Sequence, residues 1–195
     1  MSNKGKIEAS SELLLPNPLW DKFVNDMSNK DQIDKAFDLL RDCFQHGGKL
    51  LLCGNGGSAA DCDHIAAELV KGMTKITKGL PAISLCSNTA ILTAIANDLK
   101  PSYIFSQQVK AYGKPGDVIL GITTSGYSED VLFGLGMGRE KSLKAIGLTG
   151  PDNGKLYCYC DLIINCPGST TAEIQEQHIK VYHELCRRLE KEFYP

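Results

Sequence analysis

Two loops and one histidine–glutamate pair carry the clearest chemical signals in this sequence. The first loop is Gly54-Asn55-Gly56-Gly57-Ser58, and a segment with helical spacing follows it. Glycine lets a ligand approach the backbone closely, and the free N–H groups at the start of a helix attract anions. The loop is neither the GxGxxG dinucleotide motif nor a Walker loop, and by itself an ordinary tight turn explains it better.

The second loop gathers hydroxyl groups around a glycine. Residues 123–130 read Thr-Thr-Ser-Gly-Tyr-Ser-Glu-Asp, and a predicted helix begins in this stretch. A phosphate monoester needs several donors that converge on its oxygens, and hydroxyls together with helix N-terminal amides supply them without an arginine. The alternative is a plain turn in which Ser128 caps the helix. Two such loops at one edge of a sheet favour phosphate binding over that alternative.

His64 and Glu68 are the third signal. Their spacing of four residues on a helix places both side chains on one face, about 6 Å apart, where they can contact a single ligand or metal. A surface ion pair is the simpler alternative. Near the carboxyl terminus, Gln175 and His183 are eight residues apart, about 12 Å along an unbroken helix. A metal shared by all four side chains therefore requires an irregular first helical turn or two subunits.

The elements that must position these residues follow from hydrophobic spacing. Short apolar segments bounded by turn residues predict five strands, at residues 49–54, 80–85, 117–122, 143–148 and 161–166. Helical spacing predicts helices before Gly47-Gly48 and at residues 57–73, 88–98, 102–112, 128–141 and 173–192. This alternation predicts an α/β fold with a parallel sheet covered by helices on both faces. Ligands bind such sheets beyond the carboxyl ends of the strands, where both loops lie and where Asn97-Asp98 closes a helix.

Composition limits the classes of function. With 195 residues, of which 43% are hydrophobic, the chain is long enough for one substantial core and a single domain. A net charge of −2 and a pI near 6.1 provide no basic surface for nucleic acid. The eight cysteines form no CxxC pair and indicate buried, reduced thiols. Pro16 and Pro18 interrupt any signal-peptide core, and no apolar run of about 18 residues exists to cross a membrane, so we expect a cytoplasmic protein.

Four separated motifs occur in the order known from one protein family. CGNGGS, then His64 with Glu68, then GITTSGYS and finally IQEQHIKVYH resemble the sugar isomerase (SIS) domain family, and within it the phosphoheptose isomerases that act on sedoheptulose 7-phosphate. The resemblance runs from about residue 30 to the carboxyl terminus. It implies a single SIS domain over residues 1–195, with a helical segment at about 18–47 and a flavodoxin-like five-stranded parallel sheet flanked by helices. It also implies a homotetramer with active sites at subunit interfaces.

The resemblance assigns roles residue by residue. It implies substrate contacts at Asn55, Gly56, Gly57, Glu68, Asn97, Asp98, Thr123, Thr124, Ser125, Ser128 and Gln175. It implies a zinc ion held by His64, Glu68, Gln175 and His183. The implied reaction converts the ketose to D-glycero-D-manno-heptose 7-phosphate through an enediol, with Glu68 as the base and His183 as its acid–base partner. Zinc would polarise the carbonyl oxygen of the substrate.

The sequence departs from the family pattern near the substrate. No arginine follows Glu68, and Lys71 or Lys75 is the candidate replacement. Ala172 stands where the family carries an aspartate. These departures leave open the exact sugar phosphate, the product epimer, and whether the product enters lipopolysaccharide, capsule or another pathway. Two alternatives also stay open: a non-catalytic binding module of the same fold, and a sugar-phosphate-sensing regulatory domain that would need the hydroxyl loop but neither Glu68 nor His183.

Overall fold

The computed structural model describes residues 21, 23 and 26–195. The first described helix, α1, spans Met27–Gln45 and begins at Asp26, whose side chain accepts a hydrogen bond from the Ser28 N–H at 2.8 Å. This helix lies within the helical segment expected at about 18–47. Most of its earlier part, residues 18–20, 22, 24 and 25, lies outside the described residues.

One parallel sheet of five strands forms the centre of the described chain. Its strands are β1 (Leu50–Gly54), β2 (Ala82–Ser84), β3 (Val118–Thr123), β4 (Lys144–Thr149) and β5 (Leu162–Asn165). They are ordered β2-β1-β3-β4-β5, and each pairs in parallel with its neighbour. β2 pairs on one side of β1, and the later strands β3, β4 and β5 follow on the other side. The predicted flavodoxin-like fold is therefore confirmed, and its switch point lies between β1 and β3.

Helices connect the strands as the spacing predicts. They are α2 (Gly57–Lys71), α3 (Thr89–Asp98), α4 (Ile104–Tyr112), α5 (Glu129–Glu140) and α6 (Thr171–Phe193), with 3₁₀ turns at Pro101–Tyr103 and Leu156–Cys158. Strand residues alternate between two cores because successive side chains point to opposite faces. Leu50 and Leu52 pack with α1, α2 and α6, whereas Leu51 and Cys53 pack with α4 and α5.

Helices cover both faces of the sheet, as predicted, with α1, α2 and α6 on one face and α4 and α5 on the other. The cover is thinnest at the β2 edge. α3 has the mostly apolar sequence TAILTAIAND, yet none of its residues is buried. Ile83 of the edge strand β2 and Leu99 after α3 are exposed.

Two expectations from composition can be compared with the fold. All eight cysteines lie in the described part of the chain and all are free thiols. Cys53 and Cys166 are fully buried, whereas Cys158 is exposed. Across residues 21, 23 and 26–195, no helix combines the length and apolar character needed to span a membrane.

Candidate active site

A pocket of about 260 Å³ opens at the carboxyl ends of β1 and β3, where the two predicted loops meet. Its lining consists of Asn55, Gly56, Gly57, Ser58, Ile122, Thr123, Thr124, Ser128, Thr171 and Gln175. Seven of these residues are among the predicted substrate contacts. We call this site the hydroxyl pocket. Its lining residues, all within the described chain, include no lysine or arginine.

Two helices begin at the hydroxyl pocket without a side-chain cap. The N-cap residue of α2 is Gly56, which has a positive φ of 55° and no side chain to offer. Ser128 is the N-cap of α5 by position, but its hydroxyl pairs with Thr123 Oγ1 at 2.9 Å rather than with a backbone N–H of the helix. The side chains of Asn88 and Thr170, by contrast, cap α3 and α6. The plain-cap alternative for Ser128 is thus wrong. The Val131 N–H in the first turn of α5 donates to Asp130 Oδ1 at 2.9 Å, and the N–H groups before it, like those that begin α2, are left for an anion.

Hydrogen bonds join the two loops into one surface. The Ser125 hydroxyl lies 3.5 Å from Thr123 Oγ1 and accepts from the Tyr127 N–H at 3.2 Å. Asn55 donates to Asp130 Oδ1 at 2.8 Å, which ties the glycine loop to the start of α5. The hydroxyl groups are therefore held in place before any ligand arrives.

The start of α6 completes the hydroxyl pocket. A Cβ atom added to Gly57 would lie only 2.4 Å from Gln175 Nε2, so glycine makes room for this amide. Sequence reasoning missed Ser58 and Thr171. The pattern Thr170-x-x-Glu173 is a capping-box signal that predicts a helix start at residue 171. In the structure Thr170 accepts from the Glu173 N–H at 3.2 Å, and this cap presents Thr171 to the pocket.

The predicted acid–base residues lie farther along the same two helices. α2 and α6 run side by side in the same direction, so that Gly57 meets Gln175 and, two turns later, His64 meets His183. The rings of His64 and His183 pack edge to face with centroids 5.1 Å apart, and His64 Nε2 lies 3.3 Å from Glu68 Oε1. We call His64, Glu68 and His183 the histidine cluster.

A tyrosine and an aspartate that sequence reasoning missed support this cluster. The Tyr182 hydroxyl lies 3.2 Å from Asp61 Oδ1 and 3.1 Å from His64 Nδ1. In the sequence no motif assigns a role to Asp61 or Tyr182, and their spacing indicates only that they lie on helices. Burial raises the pKa of Asp61, and burial together with the Asp61 charge raises the pKa of Tyr182. Burial, reinforced by neighbouring His64, lowers the pKa of His183, which favours its neutral form.

The histidine cluster offers part of a metal site. Glu68 Oε2 is buried and finds no hydrogen-bond partner among the described residues. Imidazole nitrogen and carboxylate oxygen are accepted zinc ligands, so the chemistry of the donors fits that ion. Nevertheless, within the described ranges no three His, Cys, Asp or Glu side chains are arranged to hold a metal. The described part of one chain therefore does not by itself arrange these side chains as a metal site.

The structure places Gln175 away from the other three predicted zinc ligands. α6 is continuous over Thr171–Phe193, so the irregular first turn that would bring Gln175 to His183 is not formed. The two residues stay separated by about 12 Å along the helix. Of the two arrangements that the sequence left open, a zinc site shared between subunits is the one that remains, and it stays a prediction.

The remaining predicted residues lie outside the lining of the hydroxyl pocket, and Ser125 is one of them although it belongs to the same loop as Thr123 and Thr124. Asn97 and Asp98 end α3, are exposed, and bond to each other at 2.8 Å. Lys75 donates to the main-chain oxygen of Pro195 at 3.2 Å, and Lys71 is exposed in the last turn of α2. Ala172 is exposed in the first turn of α6. The predicted substrate contacts of Asn97 and Asp98 stay predictions.

Comparison with known proteins identifies the class. The SIS domain family matches residues 19–150, well over half of the chain, and the protein belongs to this family. A phosphoheptose isomerase from Clostridium acetobutylicum is 42% identical over 174 residues, which cover 89% of each chain.

Solved structures agree with the sequence relatives. The phosphoheptose isomerase of Neisseria gonorrhoeae superposes with a TM-score of 0.80 at 38% identity, covering 88% of this chain and 89% of the other. That of Francisella tularensis gives 0.84 at 33% identity, covering 89% and 92%. The predicted family, fold and activity class, a sugar phosphate isomerase, are confirmed, and the isomerase is favoured over the binding and sensing alternatives.

Proposed function

We propose that the protein converts sedoheptulose 7-phosphate to D-glycero-D-manno-heptose 7-phosphate. The observation that carries this proposal is the pairing of two sites along α2 and α6. An uncapped, hydroxyl-lined pocket lies at one end, and a carboxylate with two imidazoles lies two helical turns away. A phosphorylated sugar needs both, one for its phosphate and one for the carbons that exchange a proton.

The hydroxyl pocket binds the phosphate in this proposal. Thr123, Thr124, Ser125 and Ser128 supply hydroxyl donors, and the first N–H groups of α2 and α5 supply backbone donors. The partial positive charge at two helix starts compensates for the missing cationic side chains. Asn55 and Gln175 line the mouth and orient the sugar hydroxyls.

The histidine cluster moves the proton. A ketose becomes an aldose when a base removes a proton from the carbon next to the carbonyl and the proton is returned to the neighbouring carbon. Glu68 is the base, because its half-buried carboxylate has an oxygen without a partner in the described chain. His183, with its lowered pKa, is the neutral imidazole that exchanges a proton with the adjacent oxygen.

We also propose that His64, Glu68 and His183 of one subunit hold zinc only when Gln175 of a neighbouring subunit completes the site, since the three side chains are not arranged as a metal site within the described chain. When bound, zinc would stabilise the negative charge that develops on the enediol oxygen. Two observations support this assignment: Glu68 Oε2 has no partner among the described residues, and the His64 imidazole lies 3.3 Å from the other oxygen, Oε1.

The shared site requires an oligomer, and we propose the homotetramer. The support is the surface formed by α3, Ile83 and Leu99: Ile83 and Leu99 are exposed, and no residue of α3 is buried in the single chain. Burying that face between subunits would also bring Asn97 and Asp98 to an interface. We place the enzyme in a reducing cytoplasm because its eight thiols are free. Use of the product for lipopolysaccharide or capsule heptose stays a prediction.

Incubation of the purified protein with sedoheptulose 7-phosphate tests the proposal directly. We expect the aldose 7-phosphate to accumulate, as followed by NMR, and to do so in the control variant Glu140→Gln, which alters an exposed carboxylate at the end of α5. Tight binding of the sugar phosphate without turnover would instead support a sensing module.

A further inference from the structure

Asp130 contacts the hydroxyl pocket from outside its lining. Asn55, which lines the pocket after β1, donates a side-chain N–H to Asp130 Oδ1 at 2.8 Å. The same carboxylate oxygen accepts from the Val131 N–H at 2.9 Å, and this second bond holds the carboxylate at the start of α5. A side chain of the pocket is thus hydrogen-bonded to an acceptor that is itself held in place.

The carboxylate determines which way the Asn55 amide points. An amide has a donor end, Nδ2, and an acceptor end, Oδ1, and the two ends have almost the same shape. An ionised carboxylate only accepts, so Nδ2 is the end that faces Asp130. No hydrogen bond within the described chain uses Asn55 Oδ1, and this oxygen remains available to a ligand. At this position the pocket therefore offers an acceptor, which pairs with a hydroxyl group.

The charge of Asp130 has the opposite effect on a bound phosphate. Asp130 and Glu129 both lie in the first turn of α5, and the N-cap residue of that helix, Ser128, lines the pocket. A carboxylate at a helix start interacts with the positive end of the helix dipole, and it repels an anion that binds at the same end. Among the described residues, Glu129 makes no hydrogen bond to Asn55. The two carboxylates thus share the electrostatic effect and differ in their contact with Asn55.

We propose that Asp130 is a positioning residue that fixes the Asn55 amide with its oxygen toward the substrate, so that the pocket selects phosphate esters of hydroxylated chains over phosphate itself. This inference rests on the proposed function, in which the hydroxyl pocket binds the phosphate of a sugar. It adds the residue that sets whether the pocket donates to or accepts from the sugar at Asn55. Asp130 acts through Asn55, and its role requires no contact with the substrate.

The orientation of the amide can be measured without turnover. In full-length protein labelled with ¹⁵N, the side-chain signals of Asn55 are assigned by their loss in Asn55→Ala. We expect one of the two Asn55 N–H protons in the wild type to be shifted downfield by its bond to the carboxylate. Asp130→Ala should abolish that shift. Glu129→Ala, which removes the neighbouring carboxylate, is the matched control and should preserve it.

Selectivity is measured as the ratio of KM for sedoheptulose 7-phosphate to the inhibition constant of inorganic phosphate, because only the first constant contains the contacts of the sugar. Glu129→Ala should lower both constants about 2- to 5-fold and leave the ratio unchanged. Asp130→Ala should lower the inhibition constant by a similar factor and raise the ratio about 3- to 10-fold, as expected for one lost hydrogen bond. Asn55→Ala should raise the ratio at least as much, and combining it with Asp130→Ala should raise the ratio no further.

Equal ratios in Asp130→Ala and Glu129→Ala, with both variants melting like the wild type, would overturn the inference. So would Asn55 signals that Asp130→Ala leaves unchanged, or a combined variant in which the effects of Asn55→Ala and Asp130→Ala on the ratio multiply. A wild type that fails to isomerise sedoheptulose 7-phosphate, yet loses the downfield Asn55 signal in Asp130→Ala alone, would support the positioning of Asn55 while contradicting the proposed function.

Discussion

The hydroxyl pocket and the histidine cluster lie on the same pair of helices, yet they differ in how complete they are. In the pocket, each loop is hydrogen-bonded to its neighbour, and Gln175 fits against Gly57 within one chain. In the cluster, Glu68 keeps a buried oxygen without a described partner, and the fourth predicted ligand lies two turns away. The phosphate site proposed above is thus formed within one chain, whereas the proposed zinc site would need a ligand from a second subunit.

His178, the other histidine of α6, provides a comparison for the two histidines of the cluster. His178 is fully buried near the Thr149 backbone, and neither ring nitrogen makes a well-formed hydrogen bond within the described chain. Burial lowers its pKa to about 4. His178 is a neutral packing residue. His64, by contrast, faces the Glu68 carboxylate and packs against the ring of His183.

Removal of the metal should produce the largest difference between the two regions. If the cluster holds zinc, metal analysis should find about one ion per subunit, and chelation should abolish turnover until zinc is restored. His64→Ala should behave like the chelated protein. Binding of sedoheptulose 7-phosphate, measured calorimetrically, should persist in both because the hydroxyl pocket is intact. Full turnover by thoroughly metal-free protein would remove zinc from the mechanism.

Glu68→Gln tests the base. The variant keeps the shape of the side chain but cannot take a proton, so kcat should fall about 10²- to 10⁴-fold while substrate affinity changes far less. Zinc content has to be measured in the same sample, since Glu68 is also a proposed ligand. Glu140→Gln serves as the control and should retain wild-type kcat. An unchanged kcat in Glu68→Gln would assign the proton transfer to another residue.

Removing one hydroxyl from the phosphate-binding loop should have a smaller effect, and it should weaken substrate binding rather than lower kcat. Thr124→Ala removes a hydroxyl that lines the pocket, and Ser125→Ala removes one from the same loop outside the lining. If either hydroxyl donates to the phosphate, substrate binding should weaken about 5- to 30-fold, equivalent to about 1 to 2 kcal/mol. Turnover at saturating substrate and zinc content should hardly change. If KM is unaltered in both variants, the phosphate does not bind in this loop.

His178 should have the smallest effect on turnover and a measurable effect on stability. Its pKa is depressed in the folded protein, so the unfolded chain takes up the proton first as the pH falls below 6.5. The free energy of unfolding should therefore decrease between pH 6.5 and about 4, by on the order of 3 kcal/mol. Denaturant titrations of His178→Gln should show a flatter dependence over that range. Identical pH profiles would mean that another group titrates.

Much of the hydroxyl pocket could be predicted from the sequence because it depends on local patterns. β1 and β3 are recognisable as continuous apolar segments because both faces of each strand are buried, and the loops after them carry glycine and hydroxyl signals. Thr171 could not be predicted as a pocket residue, because the sequence indicates that a helix starts there but not that this start lies beside the pocket. Tyr182 was missed because an aromatic residue at core spacing indicates only a packing role. Its hydroxyl contacts Asp61 and His64 only because α2 packs against α6.

Other features depend on contacts that no local pattern encodes. No residue of α3 is buried, because β2, the strand before it, lies at the edge of the sheet. The spacing of residues along the chain does not specify that edge position. The separation of Gln175 from His183 was foreseen from helix geometry, but the sequence could not choose between an irregular turn and two subunits. The continuous α6 removes the first choice.

Isomerisation in deuterium oxide tests the central claim most directly, because it follows the proton that the histidine cluster is proposed to move. An enediol whose proton is held on Glu68 should exchange that proton with solvent before returning it to the substrate. We predict that wild-type protein forms the aldose 7-phosphate with deuterium at the carbon that receives the proton, as detected by mass spectrometry and NMR. Wild-type, zinc-loaded protein that binds sedoheptulose 7-phosphate but neither isomerises it nor exchanges its proton would contradict the account.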